Sequence, residues 1–157
     1  VTIEYAIELP FWILLLICIV MDCWKRIIPD AITLPGTLYF IIVHAITGTL
    51  AWWQPLVGAL GLGAIALLLA IISRGKLGGG DIKLFAMVGA YLGWSAGIWA
   101  LLFTFPIAAL IACPVLLMKK IAPPTIKLPE ELPLAPFIAT STILLIALLQ
   151  KVAETHV

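Results

Sequence analysis

Apolar residues in this chain come in long unbroken blocks, not in the alternating pattern of a half-buried strand. Residues 31–73 and 84–118 contain no Asp, Glu, Lys or Arg, and residues 9–21 and 132–150 supply further apolar stretches. A membrane-spanning helix needs about 20 predominantly apolar residues. Each of the two charge-free blocks is therefore long enough for two spans. The pattern predicts six transmembrane helices with short loops, over about 8–24, 31–48, 55–73, 81–95, 97–118 and 133–150. The expected fold is all-α and polytopic, a single integral-membrane domain over residues 1–157. Pro10 suits an early helical position, and Ile28, before Pro29, marks a boundary because a residue preceding proline resists the helical region. Gly48 to Pro55 reads as a turn, with Trp52 and Trp53 as interface anchors. Pro35 and Gly36 in the second span, Gly58, Gly61 and Gly63 in the third, and Gly89, Gly93 and Gly97 further on suit bends or close helix approach. The connection from Lys119 to Pro136 is proline-rich and is expected to be extended.

Composition agrees with the pattern. The chain of 157 residues is 64% hydrophobic and 11% charged, with a mean hydropathy of +1.21, whereas a soluble domain uses roughly 25% charged residues. A net charge of +1 points to no nucleic-acid partner. The distribution of the basic residues says more. Lys25 and Arg26 form one group, Arg74, Lys76 and Lys83 a second, and Lys119, Lys120 and Lys127 a third. Six spans put all three groups on one side, which the positive-inside rule makes cytoplasmic, with both termini outside. Glu4 and Glu8 precede the first apolar run and no small-residue cleavage pattern follows it, unlike a cleavable signal. Cys18, Cys23 and Cys113 form no C-x-x-C pair, and with two histidines in the chain there is no zinc-site spacing. No metal and no cofactor is implied.

The candidate chemistry lies in two acids. Asp22 ends the apolar run PFWILLLICIVM, and Asp81 follows three glycines in RGKLGGGDIKLF. A carboxylate at membrane depth is costly, and such residues usually mark function. Each could instead face water at a helix end, and Asp81 could cap a helix after a glycine turn. The chemical alternative is a dyad. Two close carboxylates share one proton. The ionised member then deprotonates a water while the protonated one donates to a scissile carbonyl. Both acids fall at one predicted membrane face. Gly78, Gly79 and Gly80 would let a substrate backbone approach and Asp81 move, and no Walker lysine and hydroxyl follow them. Lys83, two residues after Asp81, could ease an ionised carboxylate or hold lipid head groups. Asp30 either caps the second span or offers an acidic partner to a basic substrate. Glu130 and Glu131 read as a solvated loop, and His44 as a packed, hydrogen-bonded histidine.

These strings resemble the prepilin peptidase family of type IV leader peptidases, which are intramembrane aspartic proteases with a G-x-G-D signature. The resemblance is carried by MDCWKRIIPDAITLPG around Asp22 and by LGGGDIKLFAMVGAYLGW, in which Gly78 and Gly80 fill the glycine positions and Asp81 the acid. It continues more loosely over Leu132 to Phe137, where Ala135 stands in place of the family's usual glycine. It implies an aspartic endopeptidase of a prokaryotic inner membrane, with Asp22 and Asp81 catalytic and its active face cytoplasmic. Its partners would be membrane lipids and type IV prepilin-like or pseudopilin substrates of pilus or secretion systems. Longer members also methylate the product through an added N-terminal span and a cysteine-paired domain. The resemblance is to a short form without these, acting as a peptidase alone. The competing class is a non-enzymatic membrane assembly or transport component that uses the aspartates for ion or proton handling. Oligomeric state stays open.

Overall fold

The computed structural model describes residues 2–74, 77–121 and 133–155. Lys76, Lys127, Glu130, Glu131 and most of the proline-rich connection expected to be extended lie outside the described residues. The fold is all-α. In chain order the helices are α1 (Thr2–Lys25), α2 (Asp30–Thr47), α3 (Trp53–Ile72), α4 (Gly79–Ile121) and α5 (Ala135–Thr155). All five are long and apolar enough to cross a membrane, and the protein is a multi-pass membrane protein. Large apolar side chains such as Leu16, Ile46, Leu60, Leu68 and Leu110 stay exposed on the perimeter. That arrangement suits hydrocarbon, where burial of Leu or Ile in protein gains little over contact with lipid.

Five helices, not the expected six, are long and apolar enough to cross a membrane. The stretches expected as separate spans over 81–95 and 97–118 belong to one helical element, α4, interrupted at a single residue. Gly93 has φ 75° and ψ 178°, outside the helical region, a backbone that glycine reaches without a steric penalty. The two arms of α4 then lie side by side. The Phe85 and Phe105 rings are 6.5 Å apart, whereas a straight helix would separate residues twenty apart by about 30 Å. An apolar pattern cannot distinguish a loop between two helices from one non-helical residue within a single element. The expected early position of Pro10 is also revised, because α1 begins at Thr2 and contains Pro10.

Small residues set the packing. α3 and α4 share the most extensive contact in the protein, and at its centre two glycine backbones touch. A Cβ on Gly58 would sit 2.2 Å from the Gly89 carbonyl oxygen, and one on Gly89 would sit 2.2 Å from that of Gly58. The indole of Trp94 covers Gly61 in the same interface. Gly36 in α2 admits Met87 of α4 and Leu14 of α1. On the other side of α4, the Thr104 and Ser141 hydroxyls meet at 2.7 Å, buried between α4 and α5. Phe11 stacks on Tyr91 with centroids 3.7 Å apart and packs edge-on to Phe40, joining α1, α2 and α4. His44 is buried and spans the same region. Its Nε2 faces the Tyr91 carbonyl at 3.1 Å, so Nε2 carries the proton, and its Nδ1 accepts from Thr49 Oγ1 at 2.6 Å. That is the packed histidine the sequence suggested.

Candidate active site

Four helix ends converge at one end of the bundle. α1 stays helical through Lys25, and the Arg26 N–H closes its last turn on the Asp22 carbonyl at 2.9 Å. Arg26 itself is left-handed, with φ 53°. Such a residue ends a helix in the manner usually left to glycine. Pro29 then precedes α2 in an extended conformation, and Asp30 opens its first turn. Across from them, the glycine run opens α4, and α5 begins at Ala135.

Asp22 lies one turn from the end of α1 and is only 7% exposed. Its Oδ2 accepts a hydrogen bond from the backbone N–H of Ala135 at 2.9 Å. Asp81 is half-buried in the first turn of α4, and its Oδ2 accepts from the Gly78 N–H at 3.2 Å. The second bond is the reach-back half of a capping box, in which an acid at the third helical position satisfies the N-cap amide. The two carboxylates line one cleft of about 350 Å³. Oδ1 of each accepts no hydrogen bond among the described residues.

The cleft brings together all six residues singled out from the sequence: Asp22, Asp81, Gly78, Gly80, Lys83 and Asp30. Their local roles differ from the simplest expectations. Asp30 makes no capping hydrogen bond with its side chain. Its Oδ2 instead pairs with Lys83 Nζ at 2.5 Å, joining the starts of α2 and α4 across 53 residues of sequence. Position in the first turn of α2 favours the negative charge as well. Lys83 is therefore directed at Asp30, not at Asp81. None of the three glycines has positive φ, so left-handed freedom is not their use in this state. Gly80 is required by contact: a Cβ there would lie 2.8 Å from Ile28 Cβ and 3.3 Å from the Ile28 nitrogen. Gly79 meets nothing within 4 Å.

Sequence reasoning missed Arg26 and Ile28 as cleft residues and Ala135 as the donor to Asp22. Arg26 and Ile28 stand beside residues already marked, in the short segment leading to α2. Ala135 acts through its main chain and has no side-chain signature, although it lies in the Leu132–Phe137 stretch that carries the looser family resemblance. Among the described residues no group of three or more His, Cys, Asp or Glu is placed to hold a metal ion. Chemically, the arrangement offers two carboxylates, each tethered through one oxygen, at the wall of a polar cleft big enough for water and an extended backbone.

The model of the type IV leader peptidase family matches residues 9–113. A prepilin leader peptidase/N-methyltransferase of Bacillus subtilis (strain 168) is 31% identical over 144 residues, covering 92% of this chain and 56% of that protein. The Klebsiella pneumoniae protein of the same description is 33% identical over 106 residues, covering 60% of this chain and 44% of its own length. The one from Pseudomonas putida is 31% identical over 119 residues, covering 70% and 40%. The chain thus spans about half the length of the curated relatives it matches. No solved structure matches it. The family match covers most of α1, all of α2 and α3 and most of α4, and with them both aspartates, the glycine run and the Asp30–Lys83 pair; the chain belongs to the type IV leader peptidase family.

Proposed function

We propose that this protein is an intramembrane aspartic endopeptidase that removes the leader of type IV prepilin-like proteins, with Asp22 and Asp81 as its catalytic pair. The observation that carries this reading is the shared cleft: two carboxylates from helices distant in sequence line one polar cavity at a helix-end face of an otherwise apolar bundle. Close carboxylates disfavour double ionisation, so one proton serves both. The ionised member takes a proton from a water held between them. The hydroxide attacks the scissile carbonyl carbon, while the protonated member donates to the carbonyl oxygen. Collapse of the tetrahedral intermediate breaks the C–N bond, and the amine leaves with a proton from the dyad.

The cleft face is the cytoplasmic one in this reading, because Lys25, Arg26 and Lys83 cluster there. The substrate presents a peptide bond at that face, next to its own apolar helix. A proton-handling component would need ionisable groups continuing into the bundle. His44, about 21 Å along α2 from Asp30, is occupied by Thr49 and Tyr91.

The test is leader removal from co-expressed prepilin-like substrates by wild type, Asp22→Ala and Asp81→Ala. Each alanine variant should abolish processing while the protein still accumulates in the membrane. Wild-type cleavage by either variant removes the dyad. Mass spectrometry of the mature N-terminus reports whether a methyl group is added; peptidase activity alone predicts a free amine.

A further inference from the structure

Asp22 and Ala135 are 113 residues apart in sequence, yet carboxylate and amide meet at 2.9 Å inside the protein. Ala135 is fully buried and is the first residue of α5. The first N–H groups of a helix have no intrahelical acceptor. Here most of that set is already accounted for. Phe137 and Ile138 donate to the Leu134 carbonyl at 3.0 and 3.1 Å, and Pro136 has no N–H to give. Ala135 supplies the remaining donor, and the acceptor is Asp22. The contrast with Asp81 is informative. Asp81 is tethered by Gly78, three residues away on its own turn, so its placement is local. Among the described residues, Asp22 is tethered only from another helix.

Resting on the assignment of Asp22 as catalytic, we infer that the backbone N–H of Ala135 is a positioning group for Asp22. It holds Oδ2 and leaves Oδ1 as the oxygen that addresses water. Without it the carboxylate can rotate about its side-chain bonds, and the two acids lose their fixed relation. The turn from Pro133 to Pro136 is then part of the site through its main chain, although no side chain in it performs chemistry.

The test removes this one donor. Ala135→Pro deletes the N–H at the helical position where proline is best tolerated. Replacement of Ala135 by lactate through nonsense suppression turns the amide into an ester with no added bulk, and serves if the proline ring prevents folding. On purified full-length protein with a substrate that the wild type cleaves, either change should lower kcat on the order of 100-fold, the scale of a misplaced catalytic group. KM should stay within about twofold, because no substrate contact is lost. Ala135→Gly, which restores the donor, should bring kcat back to within about threefold of wild type. Retention of kcat by the ester variant, or a loss confined to KM, overturns the inference.

A second arm does not need activity. Asp22→Asn keeps an acceptor for the Ala135 N–H and Asp22→Ala does not, so thermal unfolding in detergent should show a lower midpoint for Ala than for Asn. The ester should lower the midpoint in the Asn background and have almost no effect in the Ala background. Equal effects in both backgrounds overturn the bond itself. If the wild type cleaves no prepilin-like substrate, the peptidase reading fails and the positioning role with it, while this arm still decides whether the bond exists.

Discussion

Substituting the three glycines ahead of Asp81 one at a time should give three different results, although in sequence they look interchangeable. In Gly80→Ala the new methyl would stand 2.8 Å from Ile28 Cβ and 3.3 Å from the Ile28 nitrogen. Ordinary carbon–carbon contact begins near 3.5 Å, so the start of α4 must retreat by about 0.7 Å or more. Ile28 cannot give way easily, since it is 6% exposed and sits in the short segment between α1 and α2. Asp81 is the next residue and moves with the helix start. Misplacement of a catalytic group by about 1 Å costs on the order of 100-fold in rate. Overpacking adds about 1–3 kcal/mol of destabilisation, offset by up to about 1 kcal/mol from replacing glycine in a helix. Gly79→Ala meets no atom within 4 Å and should keep activity within about threefold, with stability unchanged or raised by up to about 1 kcal/mol. Gly78→Ala falls between, its methyl lying 3.1 Å from Asp81 Oδ2. The assay is initial cleavage rate on purified protein, paired with thermal unfolding. If Gly79→Ala loses as much activity as Gly80→Ala at normal stability, contact with Ile28 is not the reason for the glycines, and backbone freedom or substrate approach must be.

Other outcomes follow from single contacts. Gly58→Ala or Gly89→Ala places a methyl 2.2 Å from a facing carbonyl oxygen and should destabilise the α3–α4 packing by about 3 kcal/mol, the upper end for overpacking, read as early unfolding or proteolysis in detergent. A double-mutant cycle on Asp30 and Lys83, whose side chains are 56% and 37% exposed, should give a coupling below about 1 kcal/mol that shrinks with salt; a larger value would mean that the pair is desolvated in the bilayer. His44→Ala takes the ring donor from the Tyr91 carbonyl, while the exposed Thr49 hydroxyl keeps its partner Thr47 at 3.1 Å, and should cost about 1–3 kcal/mol of stability, with kcat unchanged in the folded fraction; a changed kcat would tie His44 to the site. Gly93→Ala forces a side chain onto φ 75° and ψ 178°, a region essentially reserved to glycine, and should cost about 1–3 kcal/mol, visible as a lowered unfolding midpoint.

Much of this organisation was legible in the residues. The charge-free blocks set the positions of α2 and α3 to within a residue or two, and the placing of Asp22 and Asp81 at span ends on one side anticipated a common cleft. The failures have physical causes. One non-helical residue was enough to turn α4 back on itself, and no window of hydropathy registers that. Lys83 stands two residues from Asp81 in sequence, whereas helix geometry directs it to Asp30, on another helix. The donor to Asp22 is a main-chain N–H, available at almost any residue, so identity at position 135 could not announce it. Gly80 suggests substrate approach and freedom for Asp81, whereas its contact is with Ile28, which depends on where Ile28 lies in space.

The bond between Asp22 and Ala135 also has a consequence for the order of events in biosynthesis. α5 is the last of the five helices to leave the ribosome. Until it inserts, Asp22 lacks its tether while Asp81 already has its own from Gly78. A nascent chain whose first four helices are in the bilayer would carry both acids without the arrangement proposed for catalysis. On the proposed catalysis, full activity would come only after synthesis has passed Ala135 and α5 has seated against α1, so that the docking of α5 would hold back premature proteolysis.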